Sequence, residues 1–224
     1  MSKVILPGKK KPNQAGRRHS QGNGPSIRKG MPARMAGLIM CDMSESHTFA
    51  FRTAVPADIA AVVTLVESAY RGDSGRRGWT TESDLLDGQR TDSDGVAGLL
   101  GRDDSIVLLA ERDGELLGCC HIEHQGDAGY FGMFAVNPTL QNGGVGRALL
   151  TEAERLVRDR WQCLAMRMTV IEQRPELIAW YERRGYQRTG EFRPFPYGDA
   201  RFGLPRREDL RFEWMVKTLV GADA

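Results

Sequence analysis

A glycine-rich turn between an apolar strand pattern and an amphipathic helix pattern constrains this 224-residue chain more than any other feature. From residue 131 to 150 the sequence runs Phe-Gly-Met-Phe-Ala-Val-Asn-Pro-Thr-Leu-Gln-Asn-Gly-Gly-Val-Gly-Arg-Ala-Leu-Leu. Backbone N–H groups at a helix N-terminus have no intrahelical acceptor and lie at the positive end of the helix dipole. Glycines also let a phosphate approach the main chain closely. The stretch therefore predicts an anion site where a strand enters a helix.

Two common phosphate-binding motifs do not fit this turn. The dinucleotide pattern G-x-G-x-x-G requires a third glycine where Leu149 stands, and the Lys-Ser/Thr pair of a P-loop is missing after the turn. The sequence therefore disfavours dinucleotide and nucleoside-triphosphate binding.

Periodicities on both sides of the turn predict one folded domain. Strand patterns cover residues 48–55, 106–111, 116–123, 130–136, 163–171, 186–192 and 210–219. Helix patterns begin at Pro56, after a capping signal formed by Thr81 and Asp84, near Val145 and at Pro175, the last ending at Gly185. Residues 71–80 are typical of a loop, and Asp113-Gly114 of a tight hairpin. We expect an α/β (α+β) fold: a mixed, mostly antiparallel central sheet of about seven strands, covered on both faces by about four helices.

Composition excludes several classes of protein. With 41% apolar and 27% charged residues, the chain is typical of a globular protein and not of a fibrous one. It has no run of about 18 to 20 apolar residues for a membrane span and no secretory signal, so we expect it in the cytoplasm. The four cysteines contain no C-x-x-C pair, and the neighbours Cys119 and Cys120 would face opposite sides of a strand. We therefore expect no metal site.

The N-terminal segment differs from the rest in charge. Residues 1–47 hold nine Lys and Arg against two acidic residues, a net charge of +7, which leaves −5 for the remainder of a chain whose total is +2. We interpret this segment as a disordered basic tail, residues 48–220 as the domain and 221–224 as a short C-terminal tail. Contact with nucleic acid is one role for the basic tail. The alternative that we favour is no role, with translation also able to start at Met31, Met35, Met40 or Met43.

Two motifs together resemble those of one enzyme superfamily. The pattern Gln141-x-x-Gly144-x-Gly146, after a strand that ends Phe-Ala-Val-x-Pro at residue 138, resembles the acetyl-CoA signature of the GNAT superfamily of N-acetyltransferases. Residues 178–186, Ile-Ala-Trp-Tyr-Glu-Arg-Arg-Gly-Tyr, resemble the last helix of that family. The resemblance covers residues 48–220. It implies acetyl-CoA as co-substrate and transfer of its acetyl group to a primary amine by direct attack, with no metal.

The resemblance also implies a role for individual residues. Cofactor contacts would come from Phe134, Ala135, Val136, Gln141, Asn142, Gly143, Gly144, Val145, Gly146, Arg147 and Arg174. Tyr181 would protonate the departing CoA thiolate, although an aromatic residue on an amphipathic helix is more often part of a core.

The general base is not assigned by the resemblance. Some relatives hold a glutamate and an asparagine where this chain has Thr169 and Arg174. We take Glu123 as the candidate base, with His124 and Glu172 as alternatives.

The resemblance implies that two segments select the acceptor amine. They are residues 71–82, with Arg77 and Trp79, and residues 194–207, with Phe195 and Tyr197. Their arginines and aromatic residues indicate a small acceptor that carries a carboxylate or phosphate beside its amine. A protein N-terminus, a polyamine and an antibiotic stay open as acceptors, and so does a monomer or a homodimer. The alternative function is a module that binds acyl-CoA or a partner without turnover.

Overall fold

Nine strands and four α-helices form the part of the chain that the computed structural model describes, residues 49–70, 82, 84–140, 143–199 and 203–219. The strands are β1 Ala50–Thr53, β2 Leu86–Asp87, β3 Ser105–Arg112, β4 Glu115–Gln125, β5 Ala128–Val136, β6 Ala165–Ile171, β7 Gln187–Pro194, β8 Leu204–Pro205 and β9 Arg211–Thr218. The helices are α1 Ile59–Tyr70, α2 Ser93–Leu100, α3 Val145–Trp161 and α4 Pro175–Glu182. Short 3₁₀ turns precede α1 at Pro56–Asp58 and follow β5 at Pro138–Leu140.

Seven of the strands form one mixed sheet in the order β1-β3-β4-β5-β6-β9-β7. Neighbouring strands are antiparallel except β5 and β6, which are parallel. The expected fold class, a mostly antiparallel seven-stranded sheet with four flanking helices, is confirmed. The parallel strands β5 and β6 lie near the middle of the sheet and separate there. The opening between them forms the site described below.

Apolar residues cover both faces of the sheet. One core packs α3 and α4 against it, with Leu149, Val157 and Tyr181 among its members. The other core packs α1 and α2 against the opposite face. Cys119 and Cys120 are free thiols buried in different cores, as alternation along a strand requires.

Local sequence explains the hairpin and the helix start that the structure shows. Asp113 and Gly114 both have positive φ angles, 53° and 79°, as a tight hairpin turn requires. The α2 helix is capped by Asp92, whose carboxylate accepts the Gly95 amide at 2.6 Å. This cap comes later in the chain than the Thr81 and Asp84 signal, and the described Asp84 lies in a turn. The loop expected at 71–80 lies outside the described residues.

A two-stranded ribbon joins the segment after α1 to the segment between β7 and β9. In it β2 pairs antiparallel with β8, and Leu86 lies opposite Pro205. Arg206 binds both carboxylate oxygens of Asp87, at 2.6 and 2.7 Å. Residues 86–87, which follow the first segment expected to select the acceptor, are therefore held against residues 204–206 of the second segment.

The tails and the limits of the domain stay predictions, because residues 1–48 and 220–224 lie outside the described part. No helix in that part is both long and apolar enough to cross a membrane. The same residues contain no group of three or more His, Cys, Asp or Glu side chains placed to hold a metal ion.

Candidate active site

The parallel strands β5 and β6 separate towards their C-terminal ends. Their register runs from Ala128–Ala165 to Tyr130–Arg167 and goes no further along these two fully described strands. Beyond it, a cavity of about 320 Å³ is lined by residues of both strands, of α4 and of the α1 end. The hydroxyls of Tyr130 and Thr169 meet at 3.2 Å across the beginning of this gap. The gap gives an extended ligand access to the strand edges.

A bulge shapes β5 where it borders the cavity. Cys119 pairs with Ala135 and His121 with Gly132, so two residues of β5, Met133 and Phe134, oppose one residue of β4. Met133 has φ +43°, a rare conformation for a residue other than glycine. Bulges of this kind redirect main-chain groups and are common beside active sites.

Among the described residues, no strand pairs with the cavity-side edge of β5 near its C-terminal end. The Asn137 amide donates to the Leu117 carbonyl at 2.9 Å, which directs it towards β4. Because adjacent residues of a strand alternate in this direction, the Val136 main-chain groups point the opposite way, towards the gap. A strand edge of this kind can hydrogen-bond an extended amide chain as another strand would.

Tyr181 lies on α4 and lines the cavity. Its side chain is buried, and it packs in an aromatic cluster with the rings of Phe131, Phe134, Trp180 and Tyr186. Burial raises the pKa of its hydroxyl well above the ordinary value, so the hydroxyl stays protonated at neutral pH. The core interpretation and the proton-donor interpretation therefore both agree with its position.

The glycine turn lies at the N-terminus of α3. Gly144 is the N-cap residue with φ +81°, and no side chain caps the helix there. A side chain at Gly146 would instead start 3.1 Å from the Phe134 ring and 3.7 Å from the Trp180 ring. Gly144 therefore provides the left-handed backbone conformation at the start of α3, and Gly146 lets α3 pack closely on β5 and α4. The expected contacts of Gln141 and Asn142 lie outside the described residues.

A basic groove runs between α3 and the end of α4. Arg147, Arg183, Arg184 and Lys217 line it, together with Glu154. Burial, and then the like charges of Arg183 and Arg147, lower the pKa of Arg184. Such a cluster of cations attracts an anionic ligand.

The candidate bases do not line the cavity in the described structure. The Glu123 carboxylate pairs with Arg102 at 3.1 Å on the β3 side of the sheet. His124 stacks on Trp161, with 5.6 Å between ring centroids. Glu172 forms an ion pair with an arginine of β9, which lowers the pKa of its carboxyl group. None of these three side chains lines the described cavity, so a base role for any of them stays a prediction.

The described acceptor candidates hold their own loop together. Phe195 is buried in a small core cluster beside β2 and β6. The Tyr197 hydroxyl donates to one main-chain carbonyl at 3.1 Å and accepts from one amide at 2.7 Å. The prolines on either side of Phe195 line the cavity, whereas Phe195 and Tyr197 are absent from its described lining. Arg77 and Trp79 lie outside the described residues.

A charged group on the cavity wall was missed by sequence reasoning. Glu82 lies 3.7 Å from Arg90 and 3.8 Å from Arg174, measured between charged atoms. The Arg90 guanidinium also lies over the Tyr70 ring, 5.1 Å from its centroid. Arg174, which the resemblance grouped with the cofactor contacts, therefore lies beside Glu82 on this wall. No local motif could indicate the cluster, because Arg174 is far along the chain from Glu82 and Arg90.

The chain is similar in sequence to known acetyltransferases. A family model described as the acetyltransferase (GNAT) family matches residues 64–186, more than half of the chain. A mycothiol acetyltransferase from Geodermatophilus obscurus is 35% identical over 134 residues, which cover 59% of this chain and 39% of that protein. The chain thus spans well under half the length of this curated relative.

Solved structures share the fold at low sequence identity. The ribosomal-protein-S18-alanine N-acetyltransferase of Escherichia coli superposes with a TM-score of 0.58 at 15% identity, over 79% of this chain and 99% of that chain. An N-acetyltransferase from Staphylococcus aureus Mu50 gives 0.59 at 12% identity, over 78% and 99%. With the split sheet, the bulged strand and the glycine turn in place, the family match shows that this chain belongs to the GNAT acetyltransferase family.

Proposed function

We propose that the protein transfers the acetyl group of acetyl-CoA to a primary amine. The observation that carries this proposal is the position of Tyr181, whose protonated side chain lines the cavity opened by the separation of β5 and β6. The 35% identity to an enzyme named as an acetyltransferase supports the same reaction class.

The chain has features that suit CoA. Gly144 is the N-cap of the 17-residue helix α3 and makes no side-chain cap hydrogen bond, and a Cβ added there would meet no atom of the described, non-adjacent residues within 4 Å. These amides suit the diphosphate. The basic groove that contains Arg147 and Arg184 suits the further phosphate of CoA. The edge of β5 at Val136 suits the amides of the pantetheine arm.

Three parts of the reaction then have groups of this chain to serve them, whereas the base that deprotonates the amine is not assigned. Bound acetyl-CoA would supply the acetyl group as a thioester. Main-chain N–H groups at the bulge of β5 would stabilise negative charge on the thioester carbonyl oxygen. Tyr181 holds a proton at its hydroxyl beside the same strand, where a thiolate would leave. Holding both reactants in one cavity supplies the proximity on which direct attack depends.

A thiol-release experiment tests the proposal. The full chain is incubated with acetyl-CoA and a panel of amino acids, short peptides, polyamines and aminoglycosides, and released CoA thiol is measured against a blank without amine. We expect release above the blank with at least one amine, with the acetylated amine identified by its mass. Tight CoA binding in calorimetry with no release from any amine would instead indicate an acyl-CoA sensor.

A further inference from the structure

The cavity beside Tyr181 carries more positive than negative charge among its described residues. Three arginines line it, Arg90, Arg174 and Arg193, against one carboxylate, Glu82. Arginine is not deprotonated in proteins, so these charges are permanent. Arg174 is buried and Arg90 is partly buried, whereas Arg193 is exposed. Arg174 also lies 3.6 Å from the exposed Glu176. Positive charge that is withdrawn from water is costly unless an anion balances it. The wall therefore favours a ligand with a negative charge.

Arg90 has hydrogen-bond donors to offer such a ligand. Its distance of 3.7 Å to Glu82 is too long for a hydrogen bond, and its guanidinium makes no hydrogen bond within the described part of the chain. The exposed Arg52 is different, because it binds both oxygens of Asp58 at 2.7 and 2.8 Å. The planar fork of Arg90 is thus available on the cavity wall.

The backbone around Arg90 is fixed. The Glu67 carboxylate accepts the amides of Arg90 and Thr91 at 2.6 and 2.8 Å. The Tyr70 ring under the guanidinium is itself tied to the bulge of β5, because its hydroxyl donates to the Phe134 carbonyl at 2.5 Å. A group held in this way loses little entropy when it binds a ligand.

Arg174 extends the same positive wall along α4. It is the N-cap residue of that helix, only 3% exposed, and it precedes Tyr181 by seven residues. Seven residues are about two helical turns, so both lie on one face, separated by about 10 Å along the axis. The cavity therefore has a proton-donor end at Tyr181 and a cationic end at Arg174.

We propose that the acceptor is a small amine that carries a carboxylate, and that Arg90 together with Arg174 binds this carboxylate. The inference rests on the proposed acetyltransferase function. A cavity of about 320 Å³ admits a molecule the size of an amino acid or a short peptide. A carboxylate matches the planar guanidinium fork of Arg90, which can donate two parallel hydrogen bonds to its oxygens.

The experiment compares matched amines with and without the carboxylate. Common amino acids and dipeptides are each assayed beside their carboxamides, with kcat/KM from CoA thiol release. We expect the best carboxylate to exceed its carboxamide by about 10- to 100-fold, the range for a hydrogen bond to a charged group. In Arg90→Gln this ratio should fall towards one, mainly through a higher KM. Arg155→Gln, an exposed arginine of α3, is the matched control and should keep the ratio of the parent.

The two proposals fail in different ways. Release of thiol by neutral amines or carboxamides alone, or an unchanged ratio in Arg90→Gln, would overturn the inference and leave the acetyltransferase function standing. A lack of release with every amine would overturn the acetyltransferase function and this inference with it. Calorimetry with CoA confirms that each variant is folded.

Discussion

The Tyr70 hydroxyl at the end of α1 donates a 2.5 Å hydrogen bond to the Phe134 carbonyl in the bulge of β5. Both side chains are buried, and burial raises the pKa of Tyr70 to about 12, so its hydroxyl is a donor at neutral pH. The bond connects the helix before the acceptor segment to the strand that would bind the acetyl donor. One contact thus links the acceptor side of the site to the strand expected to bind the acetyl donor.

Removing this bond should weaken both the fold and the site. Tyr70→Phe keeps the ring but leaves the buried Phe134 carbonyl without this donor, at a cost of about 1 to 3 kcal/mol in the free energy of unfolding. Urea unfolding measures this cost, and calorimetry should show weaker CoA binding because the bulge is less fixed. A variant that matches the parent in both measurements would show that the bond does not hold the strand.

The N-cap glycine of α3 should matter for CoA more than for folding. Gly144→Val places a β-branched residue at φ +81° and adds a side chain where a phosphate would approach. We expect CoA affinity to fall at least about tenfold. Gly190→Val is the matched control, because Gly190 has φ +74°, lies on β7 and is equally open around its added Cβ. It should lose stability for the same reason but keep its CoA affinity, and equal affinity losses would contradict the assignment of the phosphate loop.

Two glycine-to-alanine changes should shift stability in opposite directions. A Cβ at Gly129 of β5 would overlap the Val157 side chain of α3, so Gly129→Ala should cost about 1 to 3 kcal/mol through overpacking. A Cβ at Gly98 of α2 would meet nothing within 4 Å, so Gly98→Ala should gain up to about 1 kcal/mol from helix propensity. Thermal unfolding of both variants measures the two signs, and a Gly129→Ala protein as stable as the parent would contradict the close packing of α3 on β5.

Local sequence predicts those parts of this protein that local chemistry determines. The Asp113-Gly114 hairpin, the amphipathic α3 and the glycine turn each depend on residues close together in the chain, and the expected fold class follows from their order. The bulge at Met133 does not depend on nearby residues alone. Its positive φ is imposed by neighbouring strands, because methionine does not prefer this conformation. The ribbon of β2 and β8 is too short for any periodicity.

Contacts between side chains explain which parts of the site the sequence did not predict. Glu123 has the right chemistry for a base, but its pairing with Arg102 depends on how β4 packs beside the α2–β3 turn. Glu82 and Arg90 show no motif in the sequence, and only the folded chain brings them to the cavity with Arg174. The spacing of residues along the sequence cannot indicate a charge cluster whose members come from distant parts of the chain.

His121 should make stability depend on pH between about 4 and 6.5. Burial, assisted by Arg102 and opposed by Glu123, lowers the pKa of His121 to about 4, whereas an unfolded histidine titrates near 6.5. The unfolded state binds more protons in this window, so stability rises with pH across it and is complete above it, a change of about 3 kcal/mol.

A glutamine variant isolates this effect. His121→Gln can still hydrogen-bond Ser105, which contacts the His121 ring at 2.9 Å, but it has no proton to take up. Urea unfolding from pH 7 to pH 4.5 should show a smaller loss of stability in the variant than in the parent. Parallel losses in the two proteins would mean that the His121 pKa is not lowered. The Asp58 carboxyl, with a pKa lowered to about 2 by its bond to Arg52, loses its contribution mainly below pH 4.5 and does so equally in both proteins.

Tyr181→Phe separates the catalytic role of this residue from a purely structural one. Phenylalanine keeps the ring in its aromatic cluster and removes only the hydroxyl group, so we expect similar melting and similar CoA affinity. If Tyr181 protonates the thiolate, kcat should fall about 10²-fold, the usual scale for one general acid. Tyr186→Phe is the matched control, because that hydroxyl binds Glu154 at 3.0 Å and is absent from the described cavity lining. It should lose some stability and keep its kcat, whereas parental turnover in Tyr181→Phe would make solvent the source of the proton.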